Sequence, residues 1–209
     1  LIRFHGGASL KPQVSDESPK FKSKESMNYS QKVQIAKVVA SLINDNDTVF
    51  INAGTTTFEV IRELSKKPIK IITNSVPAPS LFENSPSRLI STGGEFNAKN
   101  QSFTGDLATS IVNKIYASAC VLGVNGFSST DGITTADYLE TMINELFLKR
   151  CKGLKIVAAD GSKIGKTFCF TSASLSYIDI LVTDSSANRD ELAKFKELGI
   201  KIIIADAVQ

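Results

Sequence analysis

Apolar runs of strand length alternate along the chain with stretches whose apolar residues recur every three or four positions. That alternation predicts strands separated by helices. The first run is Thr48-Val49-Phe50-Ile51, and others follow over 69–73, 88–91, 119–124, 154–159, 180–183 and 200–204. Between them, Val33, Ala36, Val39, Ala40 and Ile43 mark a helix that begins at Asn28 and stops at Asn44-Asp45-Asn46-Asp47. Phe58, Ile61 and Leu64 mark a second helix, starting at Thr57. Pro77 and Pro79 restrict the next helix to a start within 76–80, because proline fits a helix only in its first turn. Further helices are predicted over 106–116, up to Cys151 behind Tyr138, Met142, Leu146 and Phe147, and after Asn188. The pairs Asn28/Gln31, Thr56/Glu59, Thr134/Asp137 and Asn188/Glu191 have the spacing of N-terminal caps.

Short connections between strands and helices imply parallel pairing through right-handed crossovers. Several strands are continuous apolar runs, as required when both faces of a sheet are covered. The predicted fold is therefore α/β: an open, mostly parallel, Rossmann-like sheet with helices on both faces. Residues 1–27 show no sustained period and are rich in Ser, Lys and Pro, which predicts an arm or linker ahead of a domain at 28–209. His5, the only histidine, lies in that arm and is assigned no catalytic role.

In such a sheet the carboxyl ends of the strands share one edge, and ligands bind there at a topological switch point. Gly54-Thr55-Thr56, Thr73-Asn74-Ser75, Thr92-Gly93-Gly94, Asn125-Gly126 and Asp160-Gly161-Ser162-Lys163 each follow a strand directly, so they converge on one rim. The turn after Ile51 leads straight into a helix, whose unpaired first N–H groups and dipole attract an anion. Gly54, Thr55, Thr56 and Thr57 are thus the candidate phosphate site. Asn74, Asn125, Asp131, Glu140, Asp160 and Lys163 offer donors and acceptors for hydroxyls, although strand-end Asn and Asp also serve turn backbone, and Glu140 and Lys163 also suit a solvated surface. On this reading Lys163 and Glu140 set recognition, and the threonine turn supplies most of the phosphate affinity.

Composition narrows the chemistry. A net charge of +3, with both signs dispersed, does not make a nucleic-acid surface of this chain. Three widely spaced cysteines, Cys120, Cys151 and Cys169, read as reduced thiols that pack, in a cytoplasmic protein. One histidine and scattered cysteines give no metal site, and no cofactor is implied. No apolar run reaches membrane-spanning length. The Gly161-Ser162-Lys163-Ile164-Gly165-Lys166-Thr167 segment imitates a nucleotide-binding P-loop, but it has three residues between its glycines instead of four and runs on into a β-like Phe168-Cys169-Phe170-Thr171.

Taken together, these pieces resemble the effector-sensing domain of DeoR-family bacterial transcriptional repressors. The resemblance runs through Arg3-Phe4-His5-Gly6-Gly7-Ala8, Phe50-Ile51-Asn52-Ala53-Gly54-Thr55-Thr56, Thr73-Asn74-Ser75, Gly93-Gly94-Glu95 and Phe103-Thr104-Gly105. It continues through Gly123-Val124-Asn125-Gly126, Asp131-Gly132-Ile133-Thr134-Thr135, Asp160-Gly161-Ser162-Lys163 and Thr183-Asp184. It implies a fold similar to ribose-5-phosphate isomerase, a phosphorylated-sugar effector and operator DNA bound through a winged helix-turn-helix ahead of residue 1. A homo-oligomer, carbohydrate regulation and no catalysis are also implied. The alternative is a sugar-phosphate isomerase or deaminase on the same scaffold. Carried over by position, the resemblance adds Gly93 and Gly94 to the sugar contacts Asn74, Glu140, Asp160 and Lys163. Asn52 departs from it, standing where the family often has an acidic residue.

Overall fold

The computed structural model describes residues 2–4, 7–9, 14–15 and 17–206; His5 and Gly6 of the early motif lie outside them. The seven apolar runs form one sheet: β1 (Thr48–Ile51), β2 (Lys70–Thr73), β3 (Arg88–Ser91), β4 (Ala117–Leu122), β5 (Cys151–Ala158), β6 (Ile180–Thr183) and β7 (Lys201–Ile204). Their spatial order is β7-β6-β5-β4-β1-β2-β3, and every neighbouring pair is parallel. The chain builds outward from β1 to β3, returns to lay β4 on the other side of β1, and builds outward again. The gap between the ends of β1 and β4 is therefore the switch point at which such sheets bind ligands.

The side-chain period of two explains why the strands are apolar throughout. Phe50, Ile72, Cys120, Leu122, Val157 and Leu181 face one core, with Phe147 stacked on Phe50 at 4.7 Å between ring centres. Val49, Ile51, Ile71, Val121, Ile156 and Val182 face the other. The first core is closed by α4 (Gly105–Val112), α5 (Tyr138–Arg150) and α6 (Arg189–Glu197), and the second by α2 (Tyr29–Ser41) and α3 (Thr55–Leu64).

Smaller pieces escape the hydrophobic period. Glu95–Asn97 pairs with Ser102–Thr104, and Gly126–Ser128, Gly132–Thr135 and Phe170–Ala173 make a three-stranded antiparallel sheet. The stretch after the pseudo-P-loop is indeed strand, at Thr167–Phe168. The stretch read as a featureless arm contains a pairing of Val14–Ser15 with Thr167–Phe168 and a short helix, α1 (Phe21–Glu25). Phe21 is buried, edge-on to Phe58 of α3 at 6.4 Å, so one aromatic anchor orders a segment that has no periodicity.

Three predicted caps form differently. Asn28 sits at φ 52° with no capping bond; its side chain donates to Asp160 Oδ1 at 2.9 Å instead. Glu59 pairs with Arg62 at 3.0 Å rather than closing a box with Thr56, and α3 starts at Thr55. Thr134 belongs to a strand, leaving Asp137 to cap α5 through the Leu139 N–H. Asn188 caps α6 as predicted, accepting from the N–H groups of Asp190 and Glu191.

Candidate functional site

Between the ends of β1 and β4 lies an open cleft of about 590 Å³, counted out to its mouth. Its first wall is the turn from β1 into α3. Three buried side chains fix that turn, and one of them, Asn52, also lines the cleft. Asn52 Nδ2 donates to Gly123 O and to Asn144 Oδ1, each at 2.9 Å, while its Oδ1 accepts from Gly123 N–H at 2.8 Å. Asn74 Oδ1 accepts from Ala53 N–H at 2.8 Å, and Nδ2 donates to Phe103 O. The Thr57 hydroxyl donates to Asn52 O at 2.7 Å. With these three engaged in the frame, no side chain caps α3, and Gly54, Thr55 and Thr56 line the cleft. The result is an open helix N-terminus whose N–H groups and dipole favour an anion. Gly54 itself is extended (φ 170°), so its benefit is space: a Cβ there would lie 3.1 Å from Thr57 Oγ1. Gly123 is equally tight, since a Cβ there would meet Thr57 Cγ2 at 3.1 Å.

The second wall is cationic. Lys163 reaches the cleft from the turn after β5, which Asp160 secures by accepting from Ser162 N–H at 3.1 Å. Lys24 reaches it from α1. Burial lowers the pKa of both ammonium groups; Asp160 opposes this at Lys163, and Glu140 opposes it at Lys24, where Lys163 and Lys99 lower it further. Behind them Lys32, 3% exposed, donates its Nζ to Lys24 O and closes the end of α1.

Glu140, in the first turn of α5, completes the lining. Burial pushes its carboxyl up to about 7, against a hydrogen bond from Thr135 that lowers it. Thr135 Oγ1 lies 2.9 Å from Glu140 Oε2 and 2.9 Å from Asn125 Oδ1. A hydroxyl has one proton, so it cannot donate to both. Protonated Glu140 resolves the conflict: it donates to Thr135, which donates to Asn125. Burial raises this carboxyl to about 7, and its protonated form supplies the donor that the Thr135 pair of contacts calls for.

The model of the DeoR C terminal sensor domain matches residues 27–185. The chain belongs to this family. Curated relatives are regulators as well. The HTH-type transcriptional regulator GolR of Listeria innocua is 28% identical over 99% of this chain and 81% of its own length. The HTH-type transcriptional regulator UlaR of Salmonella arizonae is 32% identical over 97% of this chain and 80% of its own. Among solved structures, ribose 5-phosphate isomerase A of Methanocaldococcus jannaschii aligns with 66% of this chain and 55% of that one, at 16% identity and a TM-score of 0.48. The Pyrococcus horikoshii initiation factor eIF-2B aligns with 73% and 62%, at 16% identity and a TM-score of 0.49.

Within this DeoR sensor domain the predicted site residues separate into three groups. Gly54, Thr55, Thr56, Glu140 and Lys163 line the cleft. Thr57, Asn74 and Asp160 stand behind the lining, holding the turns. Gly93 and Gly94 are not among the lining residues; Gly94 passes so near the α4 start that a Cβ would lie 2.4 Å from Thr104 O. Asp131 is bound by the hydroxyls of Ser128, Thr130 and Thr167 in a turn outside the lining. The uncharged Asn52 uses both amide hydrogens structurally, a task a carboxylate could not perform. Sequence reasoning missed Lys24, Phe21, Asn100 and Asn144 as lining residues. Asn125 was named as a rim residue, and the cleft includes it. Cys120 and Cys151 are buried and free, whereas Cys169 is exposed. Among the described residues no group of side chains suits a metal ion, and no helix is long and apolar enough to cross a membrane.

Proposed function

We propose that this sensor domain binds a phosphorylated sugar in the cleft between β1 and β4, and that the bound effector controls DNA binding by a winged helix-turn-helix preceding residue 1. The observation that carries the reading is the uncapped N-terminus of α3 facing a cleft that also holds Lys24 and Lys163. An open helix end with two ammonium groups suits a phosphate dianion. The Glu140 carboxyl, Asn100 and Asn125 supply the mixed donors and acceptors that sugar hydroxyls need. Membership of a sensor family whose relatives are named as transcriptional regulators supports control of DNA rather than chemistry. A cytoplasmic homo-oligomer is the setting this implies.

Calorimetry with matched pairs, ribose against ribose 5-phosphate and glucosamine against glucosamine 6-phosphate, tests the reading. Only the phosphorylated member of a pair should bind; equal affinity within a pair overturns it. One observation favours catalysis instead: a carboxyl with a pKa of about 7 inside a cleft is tuned for general acid–base work. Incubation of the same phosphosugars with the protein should leave them unchanged. Turnover near about 1 per second, ordinary for an enzyme, would replace the sensor reading by an isomerase or deaminase.

A further inference from the structure

Residues 17–27 enter the cleft from outside the sheet, and the cleft is incomplete without them. They bring Phe21 and Lys24 to its lining. Four contacts dock the segment: Phe21 N–H donates to Lys99 O at 2.9 Å, the Phe21 ring packs on Phe58, Lys32 Nζ donates to Lys24 O, and Asn125 Nδ2 donates to Ser18 Oγ at 2.8 Å. The last contact extends a polar chain that begins at Glu140. Glu140 bonds Thr135, Thr135 bonds Asn125, Asn125 bonds Ser18, and Lys24 Nζ reaches the same Ser18 hydroxyl at 3.4 Å. A ligand touching Glu140 on one side and Lys24 on the other would therefore touch both ends of one hydrogen-bonded chain.

We propose that this segment is the sensor's moving part: Lys24 is an anion-contacting residue of the effector site, and its engagement fixes residues 17–27 in the docked position. The proposal rests on the phosphosugar reading above and assigns the regulation of that same site. The docked segment is lightly held. Only Ser18 and Phe21 of it are buried, α1 has five residues, and no side chain caps it. Segments with few buried contacts open at low free energy, so one added contact changes their population strongly. Burial is the main cause that lowers the Lys24 pKa; Glu140 opposes it, and Lys163 and Lys99 lower it further. An anion held by both Lys24 and Lys163 would join α1 to the turn after β5. Because this segment leads toward residue 1, its docking is what an attached domain on that side would feel.

The test is hydrogen exchange of residues 17–27 together with calorimetry, using this chain and ribose 5-phosphate, in the parent, Lys24→Met, Lys24→Arg and Ser18→Ala. Saturating ribose 5-phosphate should slow exchange in the segment by about tenfold or more in the parent. Lys24→Met keeps the aliphatic stem, and should weaken binding about 10- to 150-fold and abolish the added protection, with Lys24→Arg restoring both. Ser18→Ala, outside the lining, should reduce the added protection while changing affinity less than Lys24→Met does. Parent-like binding by Lys24→Met, or bound ligand without protection of 17–27 in the parent, overturns the proposal and leaves the phosphosugar reading standing. A parent that binds neither ribose 5-phosphate nor inorganic phosphate overturns both.

Discussion

The two walls of the cleft do similar work by different means. The wall at the start of α3 is made from one continuous stretch of chain, and what it offers an anion is backbone N–H groups and a dipole. The opposite wall is assembled from side chains on α1 and on the turn after β5, 139 positions apart from Lys24 to Lys163. A helix end is worth about 0.3–2 kcal/mol to a neighbouring charge, and a hydrogen bond to a charged group about 1.5–3 kcal/mol. The free N–H groups of the helix end make charge-assisted bonds of the same kind as the two ammonium groups, so the two walls are comparable in strength. Which wall supplies most of the phosphate affinity, the threonine turn as the sequence reading has it or the lysines, is what the variants below decide.

The largest effect should come from filling the first wall with the wrong charge. Thr56 is 8% exposed and sits in the first turn of α3, where a carboxylate finds free N–H groups. Thr56→Asp should raise helix stability by about 0.3–1 kcal/mol while repelling a phosphate, costing several kcal/mol, beyond about 100-fold in affinity. Thermal melting and calorimetry on one sample check both signs. If the variant melts no lower and still binds ribose 5-phosphate as the parent does, the helix end is not the anion site.

The second wall should show a smaller, graded loss. Lys163→Ala removes one charge-assisted bond and should weaken ribose 5-phosphate about 10- to 150-fold, with inorganic phosphate affected equally, because the lysine reads charge rather than sugar. A loss confined to the sugar phosphate would move Lys163 to the hydroxyl side of the site. No loss at all would return it to the solvated surface and weaken the lysine-wall argument.

The same contrast explains what the sequence disclosed. All seven sheet strands and the helix after β1 were legible, because a buried parallel strand is a continuous apolar run and an amphipathic helix has its own period. Lys163 and Glu140 were legible because each lies within a few residues of an element end already placed on the rim. Lys24 and Phe21 were not, since nothing local distinguishes them from the surrounding Ser, Lys and Pro. Their significance comes from Phe58, Asn125 and Lys32, all supplied by the fold. Asn52 and Asn74 were visible as polar strand-end residues, but whether a strand-end amide faces ligand or frame depends on partners such as Gly123 and Phe103, which only tertiary structure brings near. The strands at 95–104 and 126–135 are three or four residues long, too short for alternation to separate them from loop. Capping pairs misled where a competing partner was available: Arg62 took Glu59, and Asp160 took Asn28.

The smallest effect, and the one that joins the walls, is the pH response of Glu140. Its carboxyl is raised from an ordinary 4.5 to about 7 by burial. An acid raised on folding binds its proton more tightly in the folded state, so the folded protein carries more protons than the unfolded chain between these values. Its contribution to stability is therefore fully present below about pH 4.5, declines as pH rises and is gone above about 7. Anion binding should follow the same direction, because the protonated carboxyl is neutral beside the phosphate and the ionised one repels it. Glu140→Gln keeps the shape and a donor for Thr135 but cannot ionise. The parent should lose ribose 5-phosphate affinity as pH rises from 6 to 8, whereas the variant should hold its affinity across that interval and melt higher relative to the parent at pH 8 than at pH 5. The lysines lose charge in the same direction, since burial lowers them from 10.5; at Lys163 this is alike in both proteins, whereas at Lys24 the loss of the Glu140 charge lowers the variant further and works against the expected difference. Calorimetry at three pH values in the two proteins separates the contributions. Parallel slopes would assign the pH response to the lysine wall and leave Glu140 ionised throughout, and Thr135 would then donate to only one of its two neighbours.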